Sequence, residues 1–219
     1  MIQSLLAQIN ALYPLTPVDT GAWHHLNVNG MKFEILAWKA AGLGHVSVMT
    51  ATAMFGLMKM DTLIINPTEK DLPLYSYDRI HAMGNDTLII ELYNTLLMPC
   101  SAHPLAAVQA QYTRLPERDP GEHWYDHLKL PESVSKKGKK PQTSALNRMT
   151  TDYTAAYLRL KVNAVPDPTA KRAAAAVYVD GLLEHGGPST DVFKKALGME
   201  KTAELFRTIL FSTATDESC

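Results

Sequence analysis

Cysteine is nearly absent from the 219-residue chain: Cys100 and Cys219 are the two, far apart and outside any Cys-x-x-Cys spacing. That argues against a structural zinc site or a protein-held iron–sulfur cluster, and for a reducing, cytoplasmic setting. An excess of one charge is also lacking. The 21 Lys and Arg against 22 Asp and Glu leave −1, which gives no global electrostatic reason to expect DNA or RNA. No apolar run approaches the length of a membrane span. The opening "MIQSLLAQINALYPLTP" has neither a basic n-region nor a small-residue cleavage site, so it reads as an amphipathic helix rather than a signal peptide. Nucleotide fingerprints are missing: "GGPST" opens a helix, yet it matches neither phosphate-loop pattern. No Gly-x-Ser-x-Gly elbow supports a serine nucleophile. What remains is 46% hydrophobic and 20% charged, the composition of an ordinary globular chain, expected as one domain over 1–219.

The first helix is expected to end before Pro14. From Met31 the period becomes strand-like, in "MKFEILAWK", "HVSVMTATAMF", "LMKMDTLIIN", "LPLYSYDRIHA" and "TLIIELYN", separated by turn signals. The short links predict an antiparallel meander. "RLPERDPGEHWYDHLKLPES" reads as loop with at most one short strand, and "SKKGKKPQ" as a basic loop. Leu146, Met149, Tyr153, Tyr157 and Leu160 recur at helical spacing. An alanine-rich helix then runs to Gly186 and Gly187. A last helix follows, capped by Ser189 or Thr190 and broken near Gly198. Strands followed by helices predict an α+β fold.

One residue in the strand series is out of character. Asp78 stands in the middle of "LYSYDRI", where a carboxylate has low β propensity and is costly to desolvate. By alternation it shares a face with Leu74, Ser76 and Ile80, while Tyr75, Tyr77, Arg79 and His81 take the other. Under cover its pKa rises, which suits an acid that delivers protons near neutral pH. On a solvated face it is an ordinary polar residue, and alternation does not choose between the two. His123 and His127 stand at the spacing of a helical metal pair, but the surrounding prolines argue against a helix and no third ligand is near, so no metal is expected. The run from Lys136 to Lys140 is either a solvated loop or a docking patch for an acidic partner.

Two segments together resemble the ferredoxin-dependent bilin reductases. "INPTEKDLPLYSYDRI" is similar to that family's strand, acidic turn, Asp-Leu-Pro and following aspartate, with Asp78 on the aspartate and "IIELYN" after it. "PSTDVFKKALGMEKTAELFRTILF" is similar to the family's C-terminal helices, with Gly198, Leu210 and Phe211 at matching spacing. The chain departs from the pattern at three places, one of them the missing basic residue at the start of the last helix. Thr62 stands where the family often has histidine or asparagine, and Gly186 stands near a polar position, with His185 beside it.

The resemblance implies a three-layer α/β/α sandwich around a central antiparallel sheet, with a pocket between the sheet and the C-terminal helices. It implies biliverdin as substrate, no bound flavin, nicotinamide or metal, and reduced ferredoxin as the external iron–sulfur electron donor. In that reading Asp78 donates protons and His185 is a second proton site. Thr62 and Ser76 face the bilin; by neighbourhood rather than by motif, Trp124 covers it and Lys129 and Arg148 pair with its propionates. Ferredoxin docks at Lys136, Lys137, Lys139 and Lys140. Neither nucleic acid nor membrane is a partner, and the setting is the cytoplasm, or a plastid stroma after processing. The departures imply a different target double bond or fewer polar groups at work. A red chlorophyll catabolite reductase-like enzyme and a non-catalytic bilin- or haem-binding protein are the alternatives.

Overall fold

The alternation between Met31 and Tyr93 builds the centre of the molecule. In the computed structural model, which describes residues 1–214, helix α1 (Ile2–Leu12) leads into two short strands, β1 (Leu15–Val18) and β2 (His25–Val28). Five long strands follow: β3 (Met31–Ala40), β4 (Gly44–Ala53), β5 (Met58–Asn66), β6 (Leu74–Ala82) and β7 (Asn85–Tyr93). Each pairs antiparallel with the next, as the short links predict. Between β6 and β7 the turn is just Met83 and Gly84, both at positive φ (51° and 74°), the backbone a two-residue hairpin needs to match strand twist. β1 and β2, which hydrophobic alternation did not reveal, lie along the outer edge of β3.

The other edge corrects the reading of "SKKGKKPQ" as a loop. Val134–Lys139 is strand β8, paired with β7 from Asn85↔Lys139 to Ile90↔Val134. Its alternation is hidden from a hydrophobicity reading because the inward residues are Val134, Lys136 and Gly138. Lys136 is 6% exposed and pairs with Glu117. A docking role for that lysine is excluded by its burial.

The sheet separates two apolar cores. On one face, α1, α2 (His103–Gln109) and α3 (Thr143–Leu158) cover Val46, Val48, Leu63, Ile65, Tyr75, Tyr77, Leu88 and Ile90. Leu160, predicted to continue α3, lies past its end but is still buried in this core. On the opposite face sit α4 (Pro168–His185), α5 (Pro188–Leu197), α6 (Met199–Glu204) and a π-helix, Leu205–Leu210. The architecture is therefore α+β, a large antiparallel sheet with helices on both faces. Asp167 caps α4 by accepting from the backbone N–H of Thr169 and Ala170. Gly187 occupies the cap of α5, so neither Ser189 nor Thr190 serves there, and Gly198 does break α5 from α6.

Polar side chains fix the second helical layer to the sheet. Lys171, in the first turn of α4, is fully buried and donates to Asp71 (2.9 Å), Leu72 O (2.6 Å) and Thr95 O (2.7 Å). Burial pushes the Asp71 carboxyl up, but Lys171 and the backbone N–H groups of Leu97 and Met98 outweigh it and hold Asp71 below its ordinary pKa. At the chain's far end, the His45 ring nitrogen Nε2 meets Ile209 O at 2.7 Å. Ser47 Oγ donates to Leu210 O at 2.7 Å and Asn66 Nδ2 to Phe211 O at 2.6 Å. Three residues of β4 and β5 thus hold three successive carbonyls of the last helical turn, groups a helix end leaves without intrahelical partners.

Candidate functional site

Where the π-helix and α4 leave the sheet uncovered, a cleft of about 920 Å³ opens, counting its solvent-open part. Its floor is a block of three rows read across the strands. Ile64, Ser76 and Glu91 form one row, Met49, Thr62, Asp78 and Ile89 the next, and Met60 and Ile80 the third. Tyr178 and Leu182 of α4, Gly187 at the cap of α5 and Thr190 in its first turn, and Phe206, Leu210 and Phe211 of the last turns form one wall. Arg118, Pro120, His123 and Tyr125 form the other.

Asp78 lies on this floor, on the face shared with Ser76 and Ile80 that alternation assigns to it. Directly across the strand pair, Thr62 Oγ1 donates to Asp78 Oδ1 at 2.5 Å. Burial under the apolar walls drives the Asp78 carboxyl up to about 6. The Thr62 hydrogen bond opposes this, and the nearby Glu91 charge adds to it. The group therefore exchanges a proton within the range where cells operate. Of the two readings the sequence left open for Asp78, the geometry supports the covered one: the side chain is half-buried on the floor of the cleft, not on an open face of the sheet.

The other candidates are less uniform. Thr62 and Ser76 line the cleft beside Asp78. Trp124 does not line it but backs two residues that do, stacking near Tyr178 (6.1 Å) and edge-on to Tyr125 (5.3 Å). Its ring lies where a side chain on Gly181 would be, 2.2 Å from the position of a Cβ, and its Nε1 donates to Gly186 O at 3.0 Å. His185 sits outside the cleft lining, its ring 5.2 Å from that of Trp124 and its side chain 52% exposed. Lys129 is committed to Asp126 (2.7 Å) and Glu91 (3.5 Å), also outside the lining. Arg148 is misplaced by the sequence reading. It is exposed on α3, which covers the opposite face of the sheet, and donates to Ser144 Oγ at 2.9 Å.

His123 and His127 do not converge as a metal pair. His123 lines the cleft and stacks on Tyr125 at 4.9 Å, whereas His127 is exposed and bonded through Nδ1 to Trp124 O. Among the described residues one trio of potential ligands, His24, His25 and Glu34, lies along the β2–β3 edge, the two rings nearly parallel at 4.0 Å.

Sequence reasoning missed Glu91, Arg118, His123, Tyr125 and Tyr178 as cleft residues. Glu91 had a signal, since it is a carboxylate inside an apolar strand, as Asp78 is. In the structure it accepts from Tyr93 Oη at 2.5 Å, and Tyr178 Oη donates in turn to Tyr93 Oη at 2.8 Å. The Tyr93 and Tyr178 rings stack at 3.7 Å, which fixes the chain of hydroxyls. Arg118 Nη1 reaches Ser135 Oγ of β8 at 3.3 Å, putting a cation at the rim above two carboxylates on the floor.

No protein-family model matches the chain, and no curated protein matches it by sequence. Among solved structures, the crystal structure of tomato phytochromobilin synthase in complex with biliverdin is similar over 97% of this chain and 82% of that one, with a TM-score of 0.77 and 16% sequence identity. The order of strands and helices built from this sequence is therefore the fold of that synthase.

Proposed function

We propose that the protein reduces a linear tetrapyrrole of the biliverdin class in this cleft. Electrons come one at a time from reduced ferredoxin, and Asp78 supplies the proton. The observation that carries the reading is Asp78 itself, a carboxyl titrating near 6 on the floor of an apolar cleft. The cleft lies on a fold shared with a protein solved with biliverdin. A flat, conjugated ligand suits a slot walled by Tyr125, Tyr178, Phe206 and Phe211, and its propionates suit the rim at Arg118 and His123. A two-electron reduction takes up two protons. Each electron places negative charge on the bilin, Asp78 passes its proton to a pyrrole nitrogen or lactam oxygen, and water at the cleft mouth reprotonates the carboxylate. The double bond reduced, and whether two or four electrons pass, follow from how the ligand lies over Asp78. This reading needs no resident flavin or metal, because the donor is external.

Anaerobic mixing of the protein, biliverdin and reduced ferredoxin tests it. The long-wavelength band of bound biliverdin should shift on binding and bleach on reduction. Asp78→Asn should still bind but slow turnover by about 10²–10⁴, the usual worth of a positioned proton donor, with a bilin radical accumulating. A static spectrum in the wild type would make the protein a binder, and wild-type turnover in the variant would remove Asp78 from the mechanism.

A further inference from the structure

The two carboxylates on the cleft floor are held in different ways. Asp78 has, among the described residues, one hydrogen-bond partner, the Thr62 hydroxyl. Glu91 has a partner on each oxygen: Tyr93 Oη donates to Oε2 at 2.5 Å, and Lys129 Nζ stands 3.5 Å from Oε1. Tyr93 is itself fixed by the Tyr178 hydroxyl and ring. Because Asp78 pairs with Ile89 and Ser76 with Glu91, the two acids are diagonal neighbours on one face of adjacent strands, about 7 Å apart in ordinary sheet geometry. At that separation one negative charge opposes a second. Of the two, Glu91 is the carboxylate with a phenol and an ammonium already in place.

We propose that the cleft works as a pair of unlike carboxylates, in which Asp78 carries the transferable proton and Glu91, clamped as the anion, accepts N–H hydrogen bonds from the ligand and keeps Asp78 protonated. Glu91 is thereby a positioning residue for the proton as well as a binding group. Two carboxyls whose surroundings push them apart in proton affinity take separate roles, one acid and one anion. The ligand that fits presents a row of N–H donors to the floor and its own anionic groups to Arg118 and His123 at the rim. For the ligand's identity this inference rests on the bilin reading, whereas the coupling of the two acids belongs to the free protein.

Carbon-13 NMR of labelled aspartate, with Asp78→Asn to assign the signal, follows the Asp78 titration without any ligand. Glu91→Gln should lower the midpoint by about one pH unit, while Glu91→Asp should keep it near the wild-type value. Lys129 retains Asp126 at 2.7 Å in these variants, so no cation is orphaned. Lys129→Met, which strips Glu91 of its counter-charge, should move the midpoint up and decides the matter alone if Glu91→Gln does not fold. A folded Glu91→Gln with an unmoved midpoint, or a downward shift in Lys129→Met, would overturn the pairing. With biliverdin, Glu91→Gln should weaken binding at least tenfold and Asp78→Asn far less. Equal binding by both would remove Glu91's contact with the ligand. Failure of the wild type to bind biliverdin would sink the bilin reading while the midpoints still decided the pair.

Discussion

At the scale of single residues, Asp78 trades stability for a proton. Its pKa is raised by burial to about 6, so the folded state holds the proton more tightly than the unfolded chain does. The stabilisation is then full below the ordinary carboxylate range and is lost as pH rises through about 6. Above that, the ionised group costs the fold on the order of 3 kcal/mol at most, at ~1.4 kcal/mol per pKa unit, less whatever the open mouth of the cleft screens. Asp78→Asn keeps an oxygen for the Thr62 donor and removes the charge. The variant should therefore come closest to the wild type in thermal stability below pH 4, exceed it increasingly between pH 4 and about 6, and hold that margin from there to pH 8. A difference flat in pH would mean that water, not the cleft, surrounds this carboxyl. Asp78 was legible because one charged residue broke an otherwise apolar alternation. Glu91 broke it equally, and its place followed from the two-residue turn at Met83–Gly84, which makes residue 76 face residue 91. That step joins two strands, and periodicity within one strand does not contain it.

At the scale of elements, β8 decides what its lysines can do. Strand alternation sends Lys136 inward to Glu117 and leaves Lys137, Lys139 and Lys140 exposed. If an acidic electron donor docks on this edge, Lys137, Lys139 and Lys140 are the cations it meets. Reversing these three to glutamate should slow reduction by ferredoxin and flatten its dependence on salt, with biliverdin affinity nearly unchanged. Lys136→Met should instead be read out as stability, since it leaves Glu117 at the surface and removes a buried charge. Stopped-flow rates across ionic strength separate these outcomes, and a rate indifferent to the triple reversal would move docking elsewhere. The basic run looked like a loop because its inward positions include a lysine and a glycine, which carry no apolar signal. The segment that supplies Arg118, His123 and Tyr125 was illegible for a related reason. It has no regular period, and its place over the cleft is set by contacts across the molecule, such as Trp124 against Gly181. Residues assigned there by neighbourhood alone fared accordingly, with Arg148 on the wrong face and Lys129 engaged by acids.

At the scale of the whole molecule, the sheet is a partition between two cores with different work. The order of strands and then helices was enough to predict the layers, because each element must bury its apolar side against the sheet. That the C-terminal helices cover the cleft came from the family resemblance alone, and in the structure it depends on Lys171 fixing α4 and on His45, Ser47 and Asn66 holding the last turn. The partition also has a genetic reading. Along β6, Tyr75, Tyr77 and Arg79 point into the packed face and Ser76, Asp78 and Ile80 into the cleft. In a library covering every substitution, scored once for abundance and once for ligand binding, neighbouring codons should give opposite results. The odd-numbered ones should lose abundance, and the even-numbered ones should keep abundance while changing what binds. A lineage with this architecture can revise its ligand through every second codon of a strand, and leave untouched the alternate codons that keep the protein in the cell.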